Sequence, residues 1–213
     1  MKKTIAKHRP CAHWKLLWSW PIYFLFYILT ENLIAPEDCY IIHSRLDDLI
    51  PFCEYFVVPY VFWYGLILIS LLYFLRHNAE SFKKLQLFII ITQVAAMTIY
   101  ILFPNRQDLR PTDFPRENGF TTLVSWLYAL DTNTNVCPSL HVAYSLAMAS
   151  VWVKEPGISR WWKAFVVTAV VLICLSTVFI KQHSVLDGLA ALPICLAAEL
   201  LLYQDYYKAK RHR

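Results

Sequence analysis

Charge is scarce in this 213-residue chain: 16% of the residues are Asp, Glu, Lys or Arg, where a soluble domain carries about 25%. Apolar residues make up 58%, aromatics 16%, and the mean hydropathy is +0.42. A water-solvated globule is excluded, and several apolar runs are long enough to cross about 30 Å of hydrocarbon. The strict alternation of a barrel strand is also missing, and an open strand would leave its backbone unpaired in lipid, so the spans must be helical. The six cysteines (Cys11, Cys39, Cys53, Cys137, Cys174 and Cys195) show no C-x-x-C pair and no metal-like spacing, so most read as small apolar residues. Cys39 and Cys53 approach the same face and make only a weak case for a disulfide. No metal and no other cofactor is expected. Internal repeats, low-complexity tracts and linkers are absent, which makes 1–213 a single membrane domain.

What is present is a set of apolar runs: Leu16 to Leu33, Phe52 to Leu75, Leu85 to Phe103, Leu140 to Val153, Trp162 to Ile180 and Leu186 to Tyr203. The expected fold is all-α, a polytopic membrane bundle of about six transmembrane helices, the fourth of them short. The net charge of +5 does not indicate a nucleic-acid partner, because the basic residues form short clusters between the runs. Those clusters are Lys2 to Lys15, Arg76 to Lys84, Lys154 to Lys163 and Lys208 to Arg213. All fall on one side, so the positive-inside rule places both termini in the cytoplasm. The basic start Met1 to Arg9 reads as part of a retained signal anchor, since the following run is too long for a cleaved leader. Trp and Tyr near the span ends read as interfacial anchors, and Tyr40 to Pro51 as a segment with a short helix in the outer interface.

Three polar islands lie on the face opposite the basic clusters: Asn105 to Arg116, Asn135 to His141, and Lys181 to Asp187. Ionisable groups kept at one membrane depth are functional by default. In the second island Pro138 suits a first helical position and Asn135 a cap, so the helix start offers N–H groups to an anion. Ser139 adds a hydroxyl, and His141, one turn in, is placed to give a proton to a leaving oxygen. In the third island His183 and Asp187 stand four residues apart, on one face of a helix. The carboxylate then holds one ring N–H and leaves the other nitrogen free to attack phosphorus.

These segments resemble the type 2 phosphatidic acid phosphatase superfamily, with signatures K-x6-R-P, P-S-G-H and S-R-x5-H-x3-D. Pro138-Ser139-Leu140-His141 fits the second with Leu for Gly. Ser176-Thr177, then His183 and Asp187, fit the third with Thr for Arg, and Arg110-Pro111 fits the end of the first, whose lysine position falls on Phe103. The resemblance implies a helical core at about 85–203, His183 as nucleophile, His141 as general acid and base, and Asp187 orienting His183. Arg110 and Ser139 would bind the phosphate, with Arg106, Arg116 and Lys181 replacing the two missing cations.

The thinned pattern is also similar to the branch of inositol phosphorylceramide and sphingomyelin synthases. The leading expectation is a membrane lipid phosphatase acting on a phospholipid or polyprenyl phosphate through a phosphohistidine at the extracytoplasmic face. In a bacterium that face would point outward from the cytoplasmic membrane. The alternative is a phosphotransferase passing the head group to an alcohol, and a third reading is a non-catalytic scaffold or transporter.

Overall fold

The structure is a computed structural model, and it describes residues 12–211; Met1 to Cys11, including the expected anchor start and its lysines, and His212 and Arg213 lie outside the described residues. A 3₁₀ stretch, Ala12–Trp18, leads into α1 (Ser19–Leu33), and α2 (Arg45–Leu49) follows in the next loop. Then come α3 (Val57–His77), α4 (Ala79–Leu102), α5 (Gly119–Leu130), α6 (Leu140–Lys154), α7 (Arg160–Phe179), α8 (Val185–Leu202) and α9 (Gln204–Arg211). The expected helical class holds, with one addition: two-residue strands β1 (Tyr40–Ile41) and β2 (Asn105–Arg106) pair in parallel.

Among the described residues four helices are long and apolar enough to cross a membrane: Glu54–His77, Ala79–Leu102, Arg160–Phe179 and Val185–Leu202. They fit an integral membrane protein. Helices α1 and α6 have 15 residues each, roughly 22 Å at 1.5 Å per residue, which is short of about 30 Å of hydrocarbon. The six expected runs therefore become four long helices and two short ones.

Short polar signals set the turns. Asn78 closes α3 and caps α4, its side-chain oxygen accepting from the Glu80 and Ser81 N–H groups. That cap starts α4 six residues before the expected Leu85, carrying the polar Glu80 to Lys84 stretch into the helix. Ser159 caps α7 and Ser184 caps α8. Gly157, at φ 79°, supplies the left-handed residue between α6 and α7.

Helix α6 is the hub. It packs against α3, α4, α7 and α8 and buries Tyr144, Ala147, Met148, Val151 and Trp152. Small residues sit where helices meet: Ala143 and Ala147 on α6, Ala96 on α4, and Ala191, Cys195 and Ala198 on α8. In lipid, close packing of such residues takes the place of hydrophobic exclusion between helices. The outer faces carry Phe24, Ile69, Val94, Val171 and Leu200, all exposed as lipid-facing residues would be.

Candidate active site

The three polar islands meet at one end of the bundle, and two side-chain amides fasten them. Asn105 Oδ1 accepts from the Val136 and Cys137 N–H groups at 3.0 and 2.7 Å, while its Nδ2 donates to the carbonyls of Phe103 and Cys137. Gln107, fully buried, donates from Nε2 to the Lys181 carbonyl at 3.1 Å and accepts from Leu109 N–H. The Ser139 N–H then donates to the Asp187 carbonyl at 2.9 Å, locking the start of α6 to the start of α8. Buried backbone and amide groups that pair this completely make a rigid floor.

The turn after α7 aims His183. The Thr177 carbonyl accepts from both Gln182 and His183 N–H at 2.9 Å, and Lys181 takes the left-handed conformation at φ 56°. Ser184 caps α8 in a capping box, with Asp187 Oδ2 accepting from Ser184 N–H at 2.9 Å. The same oxygen lies 3.0 Å from His183 Nδ1. Because a carboxylate only accepts, the His183 proton sits on Nδ1 and Nε2 keeps its lone pair. His183 Nε2 in turn lies 3.3 Å from His141 Nδ1, whose N–H therefore faces it. Asp187, His183 and His141 form one hydrogen-bonded line. Tyr60 and Trp63 of α3 bracket the His141 ring, at centroid distances of 4.7 and 4.5 Å.

A cavity of about 560 Å³ opens beside the two histidines. Its walls are largely aromatic, with Asp131, Thr132, Thr134, Asn135 and Gln182 as polar members. No lysine or arginine among the described residues lines it. The expected phosphate contacts sit elsewhere. Arg110 stacks on the Tyr128 ring at 4.5 Å and donates to the carbonyls of Tyr128, Asp131 and Thr132 at 3.1, 2.7 and 2.7 Å. Burial lowers its pKa, with Asp131 opposing. Arg106 pairs with Asp108 at 3.3 Å, and Arg116 with Glu54 at 2.9 Å. Lys181 Nζ donates to the carbonyls of Asp47 and Ile50, and burial lowers its pKa too. Phe103, at the lysine position of the first signature, is 60% exposed, and Thr177, at the arginine position of the third, is buried.

Two expectations at the start of α6 also need correction. Ser139, not Asn135, is the cap: its Oγ accepts from Val142 N–H, and its backbone N–H is committed to the Asp187 carbonyl, so that N–H is not free for an anion. Asn135 instead donates to Glu31 of α1 at 2.5 Å. Cys137 borders the line, but burial and the neighbouring Asp187 carboxylate push its thiol up to about 12; it is no thiolate at neutral pH. Cys39 and Cys53 are free thiols.

Several residues of the site were not singled out in the sequence. Asp47 is buried, takes the Ser184 hydroxyl at 2.6 Å and the Val185 N–H at 2.8 Å, and so supports the α8 cap. Its signal was the Ser44-x-x-Asp47 capping pattern, which is formed. Asp131 accepts from Gln182 Nε2 at 2.9 Å and Tyr27 OH at 3.2 Å, with Tyr60 OH at 3.5 Å. An isolated acid between an apolar helix and a polar loop gave little warning of this.

The fold and the site together define a helical membrane protein with an acid-supported histidine pair at one end of its bundle. The model of the PAP2 superfamily matches residues 82–211, and the chain belongs to that family. The family generally comprises phosphatases and phosphotransferases, so membership points to phosphatase-type activity for the chain. No curated protein and no solved structure matches the chain.

Proposed function

We propose that the protein removes or transfers the phosphate group of a membrane lipid through a covalent phosphohistidine on His183. The observation that carries the reading is the hydrogen-bonded line from Asp187 through His183 to His141. His183 Nε2 attacks phosphorus while Asp187 holds Nδ1–H and balances the imidazolium that forms. The P–O bond to the leaving group breaks, and its electron pair stays on that oxygen, which takes a proton from His141, present in this step as the imidazolium and left as the neutral ring. Water or an alcohol then attacks phosphorus and gives its proton to His141, and the N–P electron pair returns to His183. Near-attack geometry at about 3–3.5 Å plus one hydrogen bond needs roughly 6 Å between the two nitrogens. The 3.3 Å contact is therefore a resting bond that an entering phosphoryl group replaces.

In this reading α1 and α6 complete six crossings, α1 extended by the 3₁₀ stretch before it. Lys83, Lys84, Lys154 and Lys163 gather at the end remote from the histidines, which supports cytoplasmic termini and an extracytoplasmic site. The chain acts as a lipid phosphatase when water resolves the intermediate. Head-group transfer to an alcohol is favoured by one observation, a cavity lined by no lysine or arginine among the described residues, which suits a singly charged phosphodiester better than a doubly charged monoester. Purified protein in vesicles should release labelled phosphate from phosphatidate, or, given a labelled phosphodiester lipid as donor and ceramide as acceptor, yield an acceptor-dependent phosphodiester. Product formation that survives His183→Ala would sink the reading.

A further inference from the structure

We infer that the cavity beside the histidines binds a primary ammonium group, so that the lipid substrate is a phosphodiester with an aminoalkyl head group of the ethanolamine kind. The inference rests on the phosphohistidine reading and adds to it what the cavity selects.

The first argument is charge. The ionisable carboxylate on the cavity wall is Asp131, and Glu31 lies behind it, held by Thr132, by Thr134 at 2.6 Å and by Asn135 at 2.5 Å. Arg110 lies outside the cavity lining and directs both terminal nitrogens to carbonyls. A doubly charged phosphomonoester would face these acids with no lysine or arginine lining the cavity. A diester carries one negative charge, and an ammonium on its other arm cancels it.

The second argument is hydrogen bonding. The Gln182 amide nitrogen donates to Asp131, which fixes the amide orientation and turns Oε1 away. That Oε1 is buried, has no partner, and belongs to a residue that lines the cavity. A buried acceptor left open beside a carboxylate calls for a donor that carries positive charge. A quaternary ammonium has no N–H and would leave it unpaired; a primary ammonium has three. Burial raises the Asp131 pKa, with Glu31 adding to it and His183 and Arg110 opposing, and a cation docked there would offset that cost.

The third argument is shape. Trp63, Tyr64, Tyr23, Tyr27 and Tyr144 present rings to the cavity, and ring faces attract a desolvated cation. Their ordinary role is packing and interfacial anchoring, which does not explain the acid that shares the lining with them. Gln182, which holds Asp131, is the residue before His183, and all three line the same cavity. His183 then attacks phosphorus, the P–O bond to diacylglycerol breaks, diacylglycerol leaves with the His141 proton, and the aminoalkyl phosphate stays on His183 until water or an alcohol takes it.

The test compares phosphatidylethanolamine, phosphatidylcholine and phosphatidate, each carrying labelled phosphorus, in single-turnover trapping with purified full-length protein. Phosphatidylethanolamine should label the protein fastest, by at least about tenfold over each of the others, as a charge-assisted hydrogen bond implies. Asp131→Asn, which keeps shape and removes charge, should collapse that preference to within about threefold. Faster labelling by phosphatidate or by phosphatidylcholine in the wild type overturns the inference while leaving the phosphohistidine intact, and so does a preference unchanged in Asp131→Asn. If no lipid labels the protein, both readings fall together. The wild-type comparison stands even where the variant fails to fold.

Discussion

Helices α6 and α8 carry a polar cluster at each end, buried at the histidine end and half-buried at the other, and the two are built differently. At the end remote from the histidines, Lys154 Nζ meets Glu199 Oε1 at 2.6 Å, the Ser150 and Tyr207 hydroxyls each donate to Glu199 at 2.5 Å, and Lys154 lies over the Tyr203 ring at 4.3 Å. Both carboxylate oxygens are occupied. At the histidine end, Asp187 Oδ1, His141 Nε2 and Gln182 Oε1 are buried without a partner among the described residues. Each such group costs about 1–3 kcal/mol, a cost that makes sense where a ligand completes the set. The first cluster is completed by the protein's own groups; under the proposed function a substrate completes the second.

Mutations should separate the two ends. The largest loss belongs to His183→Ala, which removes the nucleophile and should lower kcat at least about 10³-fold, to background. Asp187→Asn should cost about 10²–10⁴-fold, because an amide can hold the wrong tautomer of His183, with lipid binding in a flotation assay little changed. His141→Ala should cost about 10²–10⁴-fold on an alkyl ester, and far less on a phenolic ester whose leaving group needs no proton. Equal losses on both esters would remove His141 from the acid role. At the other end, Glu199→Gln should lower stability by about 1–3 kcal/mol, between the values for exposed and buried pairs, with kcat per folded molecule unchanged. A thermal unfolding scan in detergent checks this, and a selective loss of kcat would break the contrast.

Arg110→Lys tests the smallest effect. Three carbonyls hold the planar guanidinium, and lysine cannot bridge all three. The change should loosen the loop carrying Asp131 and raise KM severalfold while leaving the chemical step largely intact. A loss confined to kcat would return Arg110 to the phosphate.

The membrane character, the long helices and the His183 to Asp187 contact were legible in the sequence because each rests on local pattern: apolar runs, helix caps and an i, i+4 pair. The gathering of the three islands followed from alternation of the spans. The cations were not legible. Whether a guanidinium meets a phosphate or three carbonyls depends on where α5 ends, and that 12-residue helix lies outside the six apolar runs, between two polar islands. Lys181 looked like a phosphate ligand because it stands beside His183, yet its left-handed backbone accompanies a side chain bonded to the α2 segment. Asp131 acquires meaning only from Tyr27, Tyr60 and Gln182, residues 104, 71 and 51 positions away. Paired strands of two residues leave no periodicity to read.

The most direct test of the account is rapid-quench trapping with phosphorus-labelled lipid, followed by peptide mapping of the label. The account predicts an acid-labile, alkali-stable phosphoramidate on the peptide containing His183, absent from His183→Ala and slowed but present in His141→Ala. Label on His141, or undiminished phosphoenzyme in His183→Ala, would contradict it.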